Sequence, residues 1–228
     1  FMSLSSWALV MAHDHVRENL RAGYVYLVMA NFGTLALLLA FGLLAGPDGA
    51  FAFDAIRNSQ HAPKLVALIL ILVLIGTGSK AGLVPLHAWL PLAHPAAPSH
   101  VSGLLSGIMT KVAVYAFVRI VFDLLGDPAW WWSMLVLALA GITCVMGVLY
   151  ALMQHDLKRL LAYHSVENIG IILLGFGMSM VFIGFGHPAA GALGLIAALY
   201  HTFNHAVFKG LLFLGAGSIL HATGLRNL

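Results

Sequence analysis

Between Leu65 and Arg119 the chain reads as two long apolar runs joined by a proline-rich turn, and each run carries a lysine deep inside it. Lys80 follows a stretch with no charged residue back to Lys64, and Lys111 lies mid-run, with no Asp or Glu before Asp123. A run of about 20 apolar residues crosses a bilayer as a helix. A lysine at the centre of such a helix costs a few kcal/mol on insertion scales, so a chain that keeps one there has a use for it. Composition supports the membrane setting: of 228 residues 61% are hydrophobic and only 8% charged, with a mean hydropathy of +0.96. A soluble domain averages about 25% charged residues. The chain is predicted to be all-α, a polytopic transmembrane helix bundle. One cysteine, Cys144, excludes disulfides and cysteine-rich metal sites, and a net charge of +3 needs no nucleic-acid partner.

In order, residues 1–12 read as the end of a membrane helix, too short to span alone and without the basic start of a signal peptide. A polar loop from His13 to Gly23 holds Asp14, Arg17, Glu18 and Arg21. Residues 24–45 form the first full span, with Asn31 and Thr34 as packing polar groups. The linker 46–63, with Asp48, Asp54 and Arg57, is loop with a short interfacial helix. Residues 64–90 form the second span, in which Gly76, Gly78, Gly82 and Pro85 surround Lys80. Pro85 should break the helix, and broken backbone at membrane depth is tolerated where it is buried in protein or lines a watery cavity. Residues 91–100 carry Pro91, Pro95 and Pro98 and are expected to be a rigid loop.

The third span, 101–125, puts Lys111, Tyr115 and Arg119 on one face at four-residue steps and ends at Asp123 and Asp127. Arg119 is expected to shape the local field or to pair with Asp123. Trp130, Trp131 and Trp132 open the fourth span, 130–153, as an interfacial aromatic belt. Residues 154–167 are expected to be a polar connector in the form of an interfacial helical turn, 168–186 the fifth span and 189–220 the sixth. Short-loop cations set orientation: Arg17, Arg21, Lys158, Arg159 and Arg226 fall on one side, predicted cytoplasmic, and Arg57 and Lys64 on the other. The start at Phe1 and the stop at Leu228 suggest a piece of a larger protein.

His201, His205 and Lys209 follow at steps of four and so form one stripe on the sixth span. A neutral imidazole both donates and accepts a hydrogen bond, and desolvation disfavours the charged form of an amine. The stripe is therefore suited to passing protons. Lys80 and Lys111 lie too far inside their runs to snorkel easily to an interface. The candidate proton-carrying groups are Lys80, Lys111, His201, His205 and Lys209, with Pro85 as the helix break. Most other histidines, His94, His155 and His164 among them, lie near expected loops and read as solvated or capping groups. His87, just past the break, is the exception, and its role stays open.

These residues resemble a known family. Lys80-Ala81-Gly82-Leu83-Val84-Pro85-Leu86-His87-Ala88-Trp89-Leu90-Pro91 is similar to the seventh-helix motif of the antiporter-like subunits of respiratory complex I. Thr110-Lys111-Val112-Ala113-Val114-Tyr115 resembles the eighth, Asp156 to Tyr163 the connector before the tenth, and His201 to Gly210 the eleventh. Met2 to Trp7, His94 to Ser102 and His164 to Gly170 look closest to the hydrogenase-4 component B type of formate hydrogenlyase-like group 4 hydrogenases. Complex I subunits usually carry an aspartate where Leu92 stands and a serine where His164 stands.

The resemblance implies a fold of two inverted five-helix repeats, each with one broken helix. Residues 1–125 would end the first and residues 126–228 would start the second. It implies a subunit that moves protons, with Lys80 as the seventh-helix lysine, Lys111 as the eighth-helix relay lysine, and His201, His205 and Lys209 as the eleventh-helix groups. The family's glutamate that pairs with the seventh-helix lysine lies just upstream of Met2. The implied partners are other membrane subunits, a peripheral redox arm and the lipid of a prokaryotic inner (plasma) membrane. The chain is expected to translocate ions rather than catalyse, with no cofactor or metal of its own. Two alternatives stay open: a multi-subunit sodium/proton antiporter subunit, against which the lack of an evident intramembrane carboxylate weighs, and a structural module binding haem through His201 and His205.

Overall fold

The computed structural model describes residues 1–12, 15–47, 49–126, 129–225 and 227. Asp14, Asp48, Asp127 and Arg226, assigned above to loops and a span end, lie outside the described residues. Among the described residues every regular element is helical, and six helical stretches are long and apolar enough to cross a membrane: Arg17–Ala45, Pro63–Ala81, Ser99–Leu124, Trp130–Leu152, Leu157–Gly184 and Pro188–Thr223. The chain is a polytopic membrane helix bundle.

Helix α1 is Met2–Val10 and α2 Arg17–Ala45, which starts seven residues earlier than the apolar run implied. The linker holds α3, Phe53–Asn58, the short helix expected there. Helix α4, Pro63–Ala81, begins on a proline, whose missing amide costs nothing in the first turn. It stops at Gly82, three residues before Pro85. Gly82 takes φ +90°, a conformation that glycine adopts without strain. The Gly78 carbonyl then accepts from both Gly82 N at 2.9 Å and Leu83 N at 2.8 Å, so the broken end leaves little backbone unpaired. The break stands, but the glycine makes it, and Lys80 sits on the last turn beside it.

The chain resumes as α5, Leu90–Ala96. This corrects the rigid loop expected over 91–100: Pro91 sits at the start of a helix, where proline fits, and Pro95 is carried within its last turn. The third span then runs from Ser99 to Leu124 as α6 (Ser99–Leu104), a π-helical turn (Leu105–Met109), α7 (Thr110–Val118) and a second π-helical stretch (Arg119–Leu124). Helix α8 is Trp130–Leu152.

Helix α9, Leu157–Gly184, corrects the connector expected over 154–167: the helical turn is there, but it runs on without a break into the fifth span. Asp156 caps it, accepting the Arg159 amide on Oδ1 at 3.0 Å, and an aspartate cap stabilises a helix start by about 1 kcal/mol. The polar residues 157–167 are thus the first three turns of a span. Helix α10, Pro188–Thr223, is the longest. One apolar core joins α2, α4, α7, α8 and α9 around Leu70, Phe117, Ile169 and Phe176, and a second joins α1, α2, α5 and α6 around Tyr26, Trp89 and Val101.

The two ends of the bundle separate as the cation count anticipates. Arg21, Lys158, Arg159 and Leu220 line one cleft of about 470 Å³. Arg57 bridges α3 to Asp123 at the other end, Nε to Oδ1 at 2.8 Å and Nη2 to Oδ2 at 3.0 Å. Asp123 also receives Arg119 at 2.8 Å, the second of the two roles the sequence left open for that arginine.

Candidate functional site: a buried row of amines and imidazoles

The π-helical turn at Leu105–Met109 prepares the site. Such turns shift the hydrogen-bond register by one residue and recur at functional positions. Here the Ser106 carbonyl accepts both the Thr110 hydroxyl, at 2.8 Å, and the Lys111 ammonium, at 2.6 Å. Lys111 Nζ also lies 3.2 Å from Thr110 Oγ1 and 2.5 Å from His205 Nδ1. Helix α10 can come this close because Gly107 faces it: a Cβ there would stand 3.1 Å from the Ala206 carbonyl. The four-residue step does set Tyr115 beside Arg119, 3.2 Å from Nη2, while Lys111 turns inward to α10.

Along α10, the rings of His201 and His205 stack with centroids 6.2 Å apart. His201 Nε2 meets Asn168 Oδ1 of α9 at 2.9 Å. One turn beyond His205, Lys209 is 1% exposed and donates to the Leu161 carbonyl at 2.7 Å. The stripe read from sequence is therefore one inward face, held by α9 and the third span. Charges this deep in a bundle face protein or a wet cavity rather than lipid.

Lys80 stands apart from this row. Its ammonium donates to Ser3 Oγ of α1 at 2.8 Å, and a small cavity beside it is lined by Tyr26, Ala30, Ser79, Trp89 and Met109. Trp89 Nε1 donates to the Ser79 carbonyl at 2.7 Å, pinning the segment after the break back onto the end of α4. The Tyr26 hydroxyl reaches Met109 Sδ at 3.3 Å, at the end of the π-helical turn two residues before Lys111. The structure thus joins Lys111, His201 and His205, sets Lys209 one turn along the same face, and leaves Lys80 apart from them beside a small cavity of its own.

Three groups were misplaced by sequence. Lys158, counted as a loop cation, is 4% exposed and donates to the Ala97 carbonyl at 2.8 Å. It still marks the end of the bundle, but it points inward. His94, taken as a solvated or capping group, is fully buried, stacked 4.8 Å from Phe213. Lys209, Lys158 and Lys111 lie within its electrostatic reach. Glu167, taken as the end of a connector, sits inside α9, where it pairs with His164. The capping aspartate at 156 was the signal that would have found all of α9 and moved Glu167 to membrane depth. His87 packs 6.4 Å from Tyr163 and faces a cleft shared with Tyr150, Gln154 and Arg159.

Among the described residues no group of three or more His, Cys, Asp or Glu is placed to hold a metal ion. The His201 and His205 nitrogens that meet α9 and the third span are engaged by Asn168 and Lys111.

A broken helix beside a lysine, with a buried amine–imidazole row alongside, defines a membrane subunit of the antiporter-like class. Residues 1–228 match the family model described as NADH:quinone oxidoreductase/Mrp antiporter, TM, and the chain belongs to that family. It is 45% identical over 221 residues to hydrogenase-4 component B of Escherichia coli strain K12, covering 96% of this chain and 33% of that protein. It is 40% identical over 212 residues to formate hydrogenlyase subunit 3 of the same strain, covering 92% and 34%. Its fold matches a chain in the structure of the Mrp complex from Dietzia sp. DQ12-45-1b with a TM-score of 0.84 and 29% identity, over 99% of this chain and 24% of that one. The chain therefore spans about a third of the length of those two relatives.

Proposed function

We propose that this chain belongs to a proton-translocating subunit in a redox-driven membrane complex of the hydrogenase-4 or formate hydrogenlyase kind, in the inner membrane of a prokaryote. One observation carries the reading: Lys111 and His205, on two different spans, share a hydrogen bond inside the bundle, in line with His201 and Lys209. Lys80 supplies the adjoining site, and redox energy released elsewhere in the complex sets its protonation. The chain works without a redox cofactor of its own, beside other membrane subunits and a peripheral redox arm. Residues 1–125 close one inverted repeat and residues 126–228 open the next. The likeness to subunits named for hydrogenase and formate hydrogenlyase supports this reading over complex I proper.

In the assembled complex, Lys80→Ala should abolish proton pumping while electron transfer persists in part. Unchanged pumping would refute the proposal. A second reading, a cation/proton antiporter subunit, gains from Glu167, because a carboxylate does stand inside a span and can serve a cation. Sodium-dependent transport in vesicles would favour it, and sodium independence would favour the proton-translocating reading.

A further inference from the structure

Among the described residues, Glu167 is the one Asp or Glu that lies in a span away from its first and last turns. It occupies α9 three turns from Asp156. A carboxylate at that depth needs partners, and its partners are specific. Oε2 meets His164 Nδ1 one turn back on the same helix, and the two side chains are only 19% and 37% exposed. The backbone around Glu167 is seated on Gly147 of α8, where a Cβ would strike the Glu167 amide and Cα. The backbone of α9 is thus held close against α8 at this point. From α8, Cys144 lies within its electrostatic reach, and from α10 so does Lys209.

The next residue links this pair to the row described above. Asn168 donates from Nδ2 to the His164 carbonyl at 2.7 Å and accepts His201 Nε2 on Oδ1 at 2.9 Å. His164, Glu167 and Asn168 share one face of α9 at steps of three and four, turned toward the His201 end of α10. His201 is therefore moored one side chain away from a carboxylate–imidazole pair.

Resting on the proton-translocating reading, we infer that Glu167 and His164 form a proton-holding dyad that terminates the His201 branch of the row. The dyad holds one proton between Oε2 and Nδ1. A second proton, released by the His201 imidazolium, leaves a neutral carboxylic acid beside an imidazolium, and His201 returns to neutral imidazole. One proton moves, no electrons move, and no bond to a heavy atom changes. Asn168 fixes the distance across which the proton passes, and a turn of the Glu167 side chain or one water closes it. Cys144 is a bystander with no hydrogen bond in the route.

The test uses the complete complex in sealed vesicles, with Glu167→Gln, Glu167→Asp and Lys111→Ala compared at equal electron transfer. Glu167→Gln is expected to lower proton translocation by about a hundredfold, the scale set by losing one positioned proton group, and Glu167→Asp to restore most of it. Infrared titration of the unaltered complex is expected to show a protonated-carboxyl band that Glu167→Gln abolishes and Glu167→Asp shifts. If Glu167→Gln fails to assemble, the band and its shift in Glu167→Asp decide the matter. Normal translocation in Glu167→Gln beside a dead Lys111→Ala overturns the dyad and leaves the main reading standing. Normal translocation in both overturns both, and a band unmoved in Glu167→Asp overturns the dyad alone.

Discussion

Lys111 Nζ and His205 Nδ1 lie 2.5 Å apart, on two spans brought together at Gly107. An ammonium has three donors and no acceptor, and an imidazolium likewise only donates. The contact therefore requires that at least one partner be neutral, and with one added proton that proton lies between the two nitrogens. Two bases joined in this way carry one exchangeable proton between them. That is the elementary unit a relay needs.

A lysine can give that proton up and an arginine effectively cannot. Lys111→Arg is expected to lose proton translocation as completely as Lys111→Ala, although it keeps the charge. Fluorescence quenching of a pH-sensitive dye in inverted vesicles measures it. Activity retained by the arginine variant would show that only charge is wanted at this position.

Gly107 permits the approach, so filling it should separate the pair. Gly107→Val puts side-chain atoms against the Ala206 carbonyl, and overpacking of this sort costs about 1–3 kcal/mol. The thermal midpoint in detergent should fall, and proton translocation should fall with it. A stable variant with normal translocation would mean that the α10 contact is dispensable.

Gly82 ends α4 at φ +90° and faces Leu90 of α5. Gly82→Ala forces a side chain into a left-handed residue, which costs about 1–2 kcal/mol, and displaces Leu90 besides. A lower thermal midpoint is expected, together with greater chemical reactivity of Lys80 as its chamber opens. Unaltered Lys80 reactivity would show that the break is not held by this turn.

Asp123 collects Arg57 and Arg119 at the bundle's other end, where the arginine side chains are 42% and 36% exposed. Exposed ion pairs contribute about 0–1 kcal/mol, so Asp123→Ala should leave both thermal midpoint and transport nearly unchanged. A large loss of transport would place Asp123 in the proton route.

Residues that are apolar in long runs announced themselves, and the spans, the break near Lys80 and the His201–Lys209 stripe were all legible for that reason. What the sequence hid has physical causes too. Leu157 to Glu167 is polar enough to pass for a loop, because in a bundle its polar groups meet other helices rather than water: Lys158 donates to the Ala97 carbonyl and the Leu161 carbonyl accepts Lys209. His94 carries a polar ring amid three prolines and so looks exposed, yet α5 folds it against Phe213. The π-helical turn that aims Lys111 has no compositional mark. Which of the buried bases touch one another, and that Lys80 stands in a separate chamber, depends on close helix contacts at Gly107 and Gly147 that only tertiary packing reveals.

The central claim is best tested with the complex in liposomes and Lys111 replaced by methionine, which keeps the bulk of the side chain and removes its amine. Protons moved per electron pair are measured against electron transfer itself. The structure predicts electron transfer that continues while this chain's share of the proton yield is lost. A proton yield equal to that of the unaltered complex would contradict it.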